Sequence, residues 1–186
     1  MTLLHVMPED DAGTVLLRTD DPGRISAELA PLRVSLDRWA LVRPRGPDVL
    51  ADYDAQVAQL RECGGFRLVD VASVRPDEAD PEWPARARAA REKFLAEHCH
   101  DEDEVRFFAA GRGCFYLHAG TLVHAVACEA GDLIAVPRGT RHWFDMGSVP
   151  DFVAIRFFQR EDGWIGAFTG SPIASRFPSL DELAAS

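Results

Sequence analysis

The segment EHCHDEDEVRFFAAGRG, residues 97–113, carries His98, His100, Glu104 and Arg106 at successive separations of two, four and two. In an extended strand, side chains at even separations share a face, so these four are expected to point one way while Val105 and Phe107 point the other. An HxH pair alone is weak evidence, because alternating histidines also line wet strand faces. Buried charges need partners, however, and several ligands and a cation aimed at one point suit a bound metal better than packing. A further ligand is expected from a neighbouring strand. GDLIAVPRGTRHWF, residues 131–144, offers His142 just after a Pro-Arg-Gly turn. Three neutral imidazoles and a carboxylate suit a divalent first-row ion, Fe(II), Ni(II), Co(II) or Mn(II), better than Mg or Ca, which prefer all-oxygen shells. An octahedral ion held by four protein ligands keeps two positions for a bidentate oxygen chelate such as an ene-diol. His5, His118 and His124 are read as ordinary strand or terminal histidines.

The elements that must position these residues change in texture near residue 97. Before it, strands and helices mix. Asp21-Pro22-Gly23 is a turn that starts a helix carrying Ile25, Leu29 and Leu32 on one face. Pro47 starts a second helix, with Val49, Tyr53, Val57 and Leu60 at helical spacing and Gly64-Gly65 as its stop. FRLVDVASV reads as a strand, and PEWPARARAAREKFLAEH as a third helix running up to the histidine segment. These helices are expected to pack outside a sheet. From residue 98 onward, short apolar runs (CFYLH, TLVHAVAC, LIAVP, DFVAIRFF) are separated by turn signals. That is the pattern of an antiparallel barrel or double-sheet jelly roll. The expected fold is therefore mainly β, a jelly-roll barrel with additional N-terminal helices. It forms a single domain over 1–186: a mixed helix/strand part packed on the barrel (1–96), the barrel core (97–160) and a C-terminal extension (161–186).

Composition limits the function. The 186 residues are 47% hydrophobic and 27% charged, enough for one domain with its own core. The net charge of −10 and the lack of a dense Lys/Arg cluster argue against nucleic acid as partner. No apolar run approaches the ~20 residues of a membrane span, and MTLLHVMPEDD has no signal-peptide pattern, so a cytoplasmic location is expected. Cys63, Cys99, Cys114 and Cys128 form no CxxC pair and are expected to be reduced thiols without a functional role. A monomer is expected, since no extra apolar surface is evident.

Two spacings carry a resemblance. The first is HxHxxxE followed by six residues and Gly111; the second is G-x5-P-x-G-x2-H from Gly131 through Pro137 and Gly139 to His142. Both resemble the two motifs of the cupin superfamily. The departures are Glu92 where the first motif begins with glycine, and Met146 where the second often ends in asparagine. Neither removes a ligand. Within cupins, KFLAEHCHDEDEVRFFAAGRGCFYLH, GDLIAVPRGTRHWFDMG and GWIGAFTGSPIASRFP resemble the acireductone dioxygenase family, closely over about residues 66 to 178. The resemblance implies a methionine-salvage enzyme that cleaves acireductone, 1,2-dihydroxy-5-(methylthio)pent-1-en-3-one, with O2. It implies one Fe(2+) or Ni(2+) per chain on His98, His100, Glu104 and His142, with Arg106 helping to form the substrate dianion. Glu97 would assist metal incorporation and Asp103 would relay conformational change, each set against a plain surface acid. Phe94, Phe144 and Trp164 would line the substrate pocket and keep the methylthio tail dry.

Two rival classes remain at this point. A sugar-phosphate isomerase could use the same four ligands, but phosphate asks for basic residues at the barrel mouth, where only Arg106, Arg112, Arg138 and Arg141 are candidates. A non-catalytic cupin binding module would have no need for an intact ligand set.

Overall fold

The computed structural model describes residues 1–161 and 164–185; Gly163, the first residue of the late GWIGAFTG segment, lies outside the described residues. Among the described residues the short apolar runs become eleven strands, all paired antiparallel. The first half of the chain supplies β1 (Leu3–Pro8), β2 (Leu17–Thr19), β3 (Ser35–Arg38) and β4 (Leu68–Val74). After it come β5 (His98–Cys99), β6 (Glu104–Ala119), β7 (Leu122–Glu129), β8 (Asp132–Val136), β9 (Arg141–Asp145), β10 (Phe152–Phe158) and β11 (Ala167–Phe168). One sheet runs β11-β5-β9-β6-β7-β1-β2; the other consists of β4, β10, β6, β8 and β3. β6 is long enough to belong to both, its first half pairing with β8 and β10 and its second with β7 and β9. Two antiparallel sheets facing one another around a shared core are a double-sheet jelly roll.

β6 turns from one sheet into the other at a bulge. Ala109 is left over between the pairs Phe108–Ala154 and Ala110–Val153, and Gly111 follows with φ 71°. A Cβ at Gly111 would stand 1.8 Å from the Asp151 carbonyl oxygen, so only glycine lets the two chains approach there. The extra residue reverses the side-chain parity. Before it, Phe108 faces the inter-sheet core and Val105 and Phe107 face out; after it, Phe115 and Leu117 face in and Cys114 and Tyr116 face out.

Three apolar clusters follow. The inter-sheet cluster joins Leu4, Val6, Phe108, Phe115, Val126, Ile134, Phe144 and Phe152. Ile173, Phe177, Leu180 and Leu183 from the C-terminal segment, which ends in α5 (Leu180–Ala185), cover the outer face of the first sheet. The outer face of the second is covered by Tyr53, Phe66 and Trp39, with Val49, Val57 and Leu60 from α2 (Val49–Asp52) and α3 (Asp54–Gly64).

The helices depart from the sequence expectations in three places. α1 (Pro22–Leu29) does not lie wholly outside, because Ile25 and Leu29 insert into the inter-sheet cluster. The second helix is two, broken at Tyr53 (φ −118°, ψ 24°), whose ring packs edge-on to Phe107. The third, α4 (Trp83–Glu92), stops early: the Phe94 carbonyl accepts from Phe144 N and the Glu97 carbonyl from Thr169 N, so sheet neighbours capture the backbone that the helix pattern would have used. The first 38 residues also do more than pack on the barrel, since β1 pairs with β7 and β3 with β8 inside the two sheets. Among the described residues, no helix is long and apolar enough to cross a membrane.

Candidate metal centre

His98, His100 and His142 are buried and offer nitrogens that all lie within 4.8 Å of one another. Strand pairing brings two of them together, because His98 of β5 stands opposite His142 of β9. The third arrives differently. Pairing does not persist from His98 to Glu104 as the strand reading required; residues 100–103 leave the ladder and β6 begins at Glu104. The four side chains converge through this turn, and even spacing alone does not bring them there.

A backbone carbonyl fixes each imidazole. His98 Nδ1 lies 2.7 Å from the Ala96 oxygen, His100 Nδ1 3.0 Å from that of Ile165, and His142 Nδ1 2.8 Å from that of Thr140. A carbonyl only accepts, so each Nδ1 carries a proton and Nε2 is the ring atom turned to the centre, where a metal would take it as a ligand. Two of these Nε2 atoms face one oxygen, Glu104 Oε2, at 3.1 Å from His100 and 2.9 Å from His142. The third, His98 Nε2, is buried without a partner. An orphaned buried acceptor beside a carboxylate and two more imidazoles fits a divalent cation in chemistry and direction.

The electrostatics differ from ring to ring. Burial, reinforced by the neighbouring His142 and His100, pushes His98 down to about 4, which leaves the ring neutral and free to ligate. At His100, burial acts downward too, but the hydrogen bond and charge of Glu104 outweigh it and leave the pKa raised. Burial would push Glu104 up; Arg106 and the contacts from His100 and His142 override it and hold the carboxyl well below its usual range.

Arg106 is buried with Nη2 2.7 Å from Glu104 Oε1, close enough for an ion pair although not aligned as a hydrogen bond. Burial lowers its pKa against the raising effect of Glu104. Aromatic rings enclose its guanidinium: the carbon lies 4.5 Å from the Phe144 ring centre, 5.1 Å from Trp164, 5.3 Å from Phe115 and 6.0 Å from Phe94. Phe94 and Trp164 also line a cavity of about 240 Å³ with Lys93, Arg156 and Phe158. Phe144 does not reach that cavity and packs in the inter-sheet cluster beneath Arg106. A larger cavity of about 500 Å³ lies against Tyr116 and Trp143, on the sheet's outer face, and none of the four candidate ligands lines it.

Neither supporting acid is a simple solvated side chain. Glu97 is only 1% exposed; its Oε1 lies 2.5 Å from His118 Nδ1 and its Oε2 accepts from Thr169 Oγ1 at 2.6 Å. Burial would raise its pKa, but these bonds to Thr169 and His118 lower it. Asp103 is half-buried; its Oδ1 accepts from Arg138 N at 2.9 Å and its carbonyl from Trp164 Nε1 at 3.3 Å. Sequence reasoning passed over Phe115, the carbonyls of Ala96, Thr140 and Ile165, and His118. Backbone carbonyls have no sequence signal, and Phe115 was hidden by the parity change at the bulge.

A jelly roll that gathers three histidines and a glutamate in its interior defines a metal-binding protein of the cupin class. Residues 53–166 match the model of the ARD/ARD' family. "Acireductone dioxygenase 1" of Nocardia farcinica is 59% identical over 98% of this chain and 99% of its own. "Acireductone dioxygenase" of Saccharopolyspora erythraea is 55% identical over the full length of both chains. A solved structure, "Acireductone dioxygenase from Bacillus anthracis with cadmium ion in active center", superposes with a TM-score of 0.73 at 25% identity, covering 90% of this chain and 98% of that one. The chain belongs to the ARD/ARD' family. It is an enzyme, a dioxygenase.

Proposed function

We propose that this dioxygenase cleaves acireductone with O2 in methionine salvage, using one Fe(2+) or Ni(2+) per chain held by His98, His100, Glu104 and His142. One observation carries the reading: three imidazoles, each locked by a carbonyl on Nδ1, turn their Nε2 atoms toward Glu104, and that of His98 is buried there with no partner. The relatives' names supply the substrate.

When bound, the metal supplies a positive charge that lowers the pKa of both ene-diol hydroxyls and so favours an electron-rich dianion able to react with O2. The chain's own residues do the rest. Arg106 places a fixed cation against the second negative charge of the substrate, inside an aromatic cage that excludes water and strengthens that attraction. Phe94 and Trp164 offer apolar walls to the methylthio tail, and Phe144 supports the site from below by stacking on Arg106. Asp103, bonded through its carbonyl to Trp164, links the turn between His100 and Glu104 to that wall and is suited to relay movement. Glu97 sits directly before His98 and assists metal incorporation.

The enzyme acts as a single-domain monomer in the cytoplasm. The four free cysteines suit a reducing compartment.

The test strips one preparation, reloads portions separately with iron and nickel, and analyses products from the same substrate with metal content verified. The iron form is expected to give formate and 4-methylthio-2-oxobutanoate. The nickel form is expected to give formate, carbon monoxide and 3-methylthiopropanoate. Identical products would refute metal-controlled branching; no oxygen uptake with either metal would overturn the substrate assignment.

A further inference from the structure

β5 is only two residues long, yet it carries His98, and a ligand must be held to within about 0.5 Å of its productive position. Two residues, paired to β9 at His98 alone and to the equally short β11 on the other side, are little restraint for that. What fixes the peptide further is a polar chain on the outer face of the first sheet, buried at His118 and Glu97 and reaching solvent at Glu9 and Thr169. His118, on the outward side of β6, has Nδ1 2.5 Å from Glu97 Oε1 and Nε2 2.8 Å from Glu9 Oε2. Glu97 Oε2 accepts from Thr169 Oγ1 at 2.6 Å, and the Glu97 carbonyl accepts from Thr169 N at 3.0 Å. His118 thus bridges two carboxyl groups, one at each ring nitrogen. Glu9 is itself anchored at the end of β1, its N–H donating to the Thr121 carbonyl at 2.8 Å.

We infer that His118 is a positioning residue for the metal site, holding Glu97, and through it His98, with Glu9 as its outer anchor. The inference rests on His98 being a ligand, as proposed above. His98 Nδ1 bonds to the Ala96 carbonyl, one residue before Glu97, so rotation about residue 97 swings that carbonyl and re-aims the ring. Side-chain bonds to His118 and Thr169, with the main-chain bond to Thr169, pin residue 97 from both ends. No other described group donates to the Glu97 carboxylate. Loss of His118 leaves a buried carboxylate short of a donor, and residue 97 is then free to turn its side chain toward water.

The probe is Co(2+), added to stripped wild type, His118→Leu, His118→Asn, His118→Gln, Thr169→Val and, as control, His98→Ala. Affinity is read by chelator competition and coordination by the visible Co(2+) spectrum, with the melting temperature of each metal-free protein recorded alongside. His118→Leu is expected to bind about 10–100-fold more weakly, the range for groups that orient a ligand, and to show an altered spectrum. His118→Asn, which keeps a donor where Nδ1 stood, is expected to recover most of the affinity; His118→Gln, whose donor lies further out, is expected to recover little. A lowered melting temperature with wild-type affinity and spectrum in His118→Leu and Thr169→Val would reduce His118 to a fold-stabilising residue. If His118→Leu does not fold, equal affinities for His118→Asn and His118→Gln overturn the inference. Wild-type affinity in His98→Ala would instead overturn the ligand assignment on which it rests.

Discussion

Arg106→Ala removes a cation that contacts Glu104 in the metal-free protein and that the proposed function assigns to the substrate, and the two roles separate experimentally. In the metal-free protein the guanidinium sets a full positive charge 2.7 Å from the buried Glu104 carboxylate. Removing one member of a buried pair costs about 3–5 kcal/mol, because the remaining charge stays out of water. For a domain of this size, 1 kcal/mol corresponds to ~2–4 °C, so metal-free Arg106→Ala is expected to melt about 6–20 °C below metal-free wild type. With metal bound, Glu104 faces a divalent cation and no longer depends on Arg106. The deficit should then shrink to about 2 kcal/mol, the share of the emptied aromatic cage. Catalysis should not recover with the stability: loss of a fixed charge acting on a developing anion costs about 100–1000-fold in kcat. Lysine restores charge without the planar fork and is expected to recover part of it. The assays are calorimetric melts of stripped and loaded proteins, metal analysis, and oxygen uptake with acireductone. An equal melting deficit with and without metal would refute the idea that Glu104 turns to the metal, and an unchanged kcat/KM would make Arg106 structural.

His142→Ala and Glu104→Ala should each lose most bound metal by elemental analysis after purification; full occupancy in either would remove that residue from the ligand set. Acidification should destabilise the protein away from the centre, because burial, joined at His5 by Arg18, lowers the pKa of His5 and of His124. Their folded-state values lie below the unfolded value of about 6.5, so the stability of the neutral forms is fully present above that pH and is lost as pH falls toward the folded values. Melting temperature should therefore fall from pH 7 to pH 5, and His5→Leu or His124→Leu should flatten the decline; an unchanged slope by calorimetry would contradict this. Gly111→Ala should destabilise by more than about 2 kcal/mol in urea unfolding, since its Cβ would meet the Asp151 carbonyl and its φ is left-handed. A neutral result would mean that the β6 crossing is not fixed there.

The amino-acid sequence by itself determined the candidate ligand types, their spacing and the strand-rich second half, because the first two are written in the chain and the last follows from a period of two that survives in any strand. His98, His100, Glu104 and His142 stood out as a candidate set by residue type and motif spacing, with Arg106 beside them. Local periodicity could not show that pairing lapses between His100 and Glu104, nor that one extra residue at Ala109 turns Phe115 into the wall of the Arg106 cage. Nor could it show which face a histidine takes. His118 read as an ordinary strand residue, yet its partners Glu97 and Glu9 lie 21 and 109 residues away and meet it only when β1, β6 and β5 come together. The same holds for the carbonyl that sets the His100 tautomer, which comes from Ile165, 65 residues on. Which atoms are present is a property of the chain. Which of them lose water together, and so must satisfy one another, is decided only where the two sheets and the C-terminal segment close over the same space.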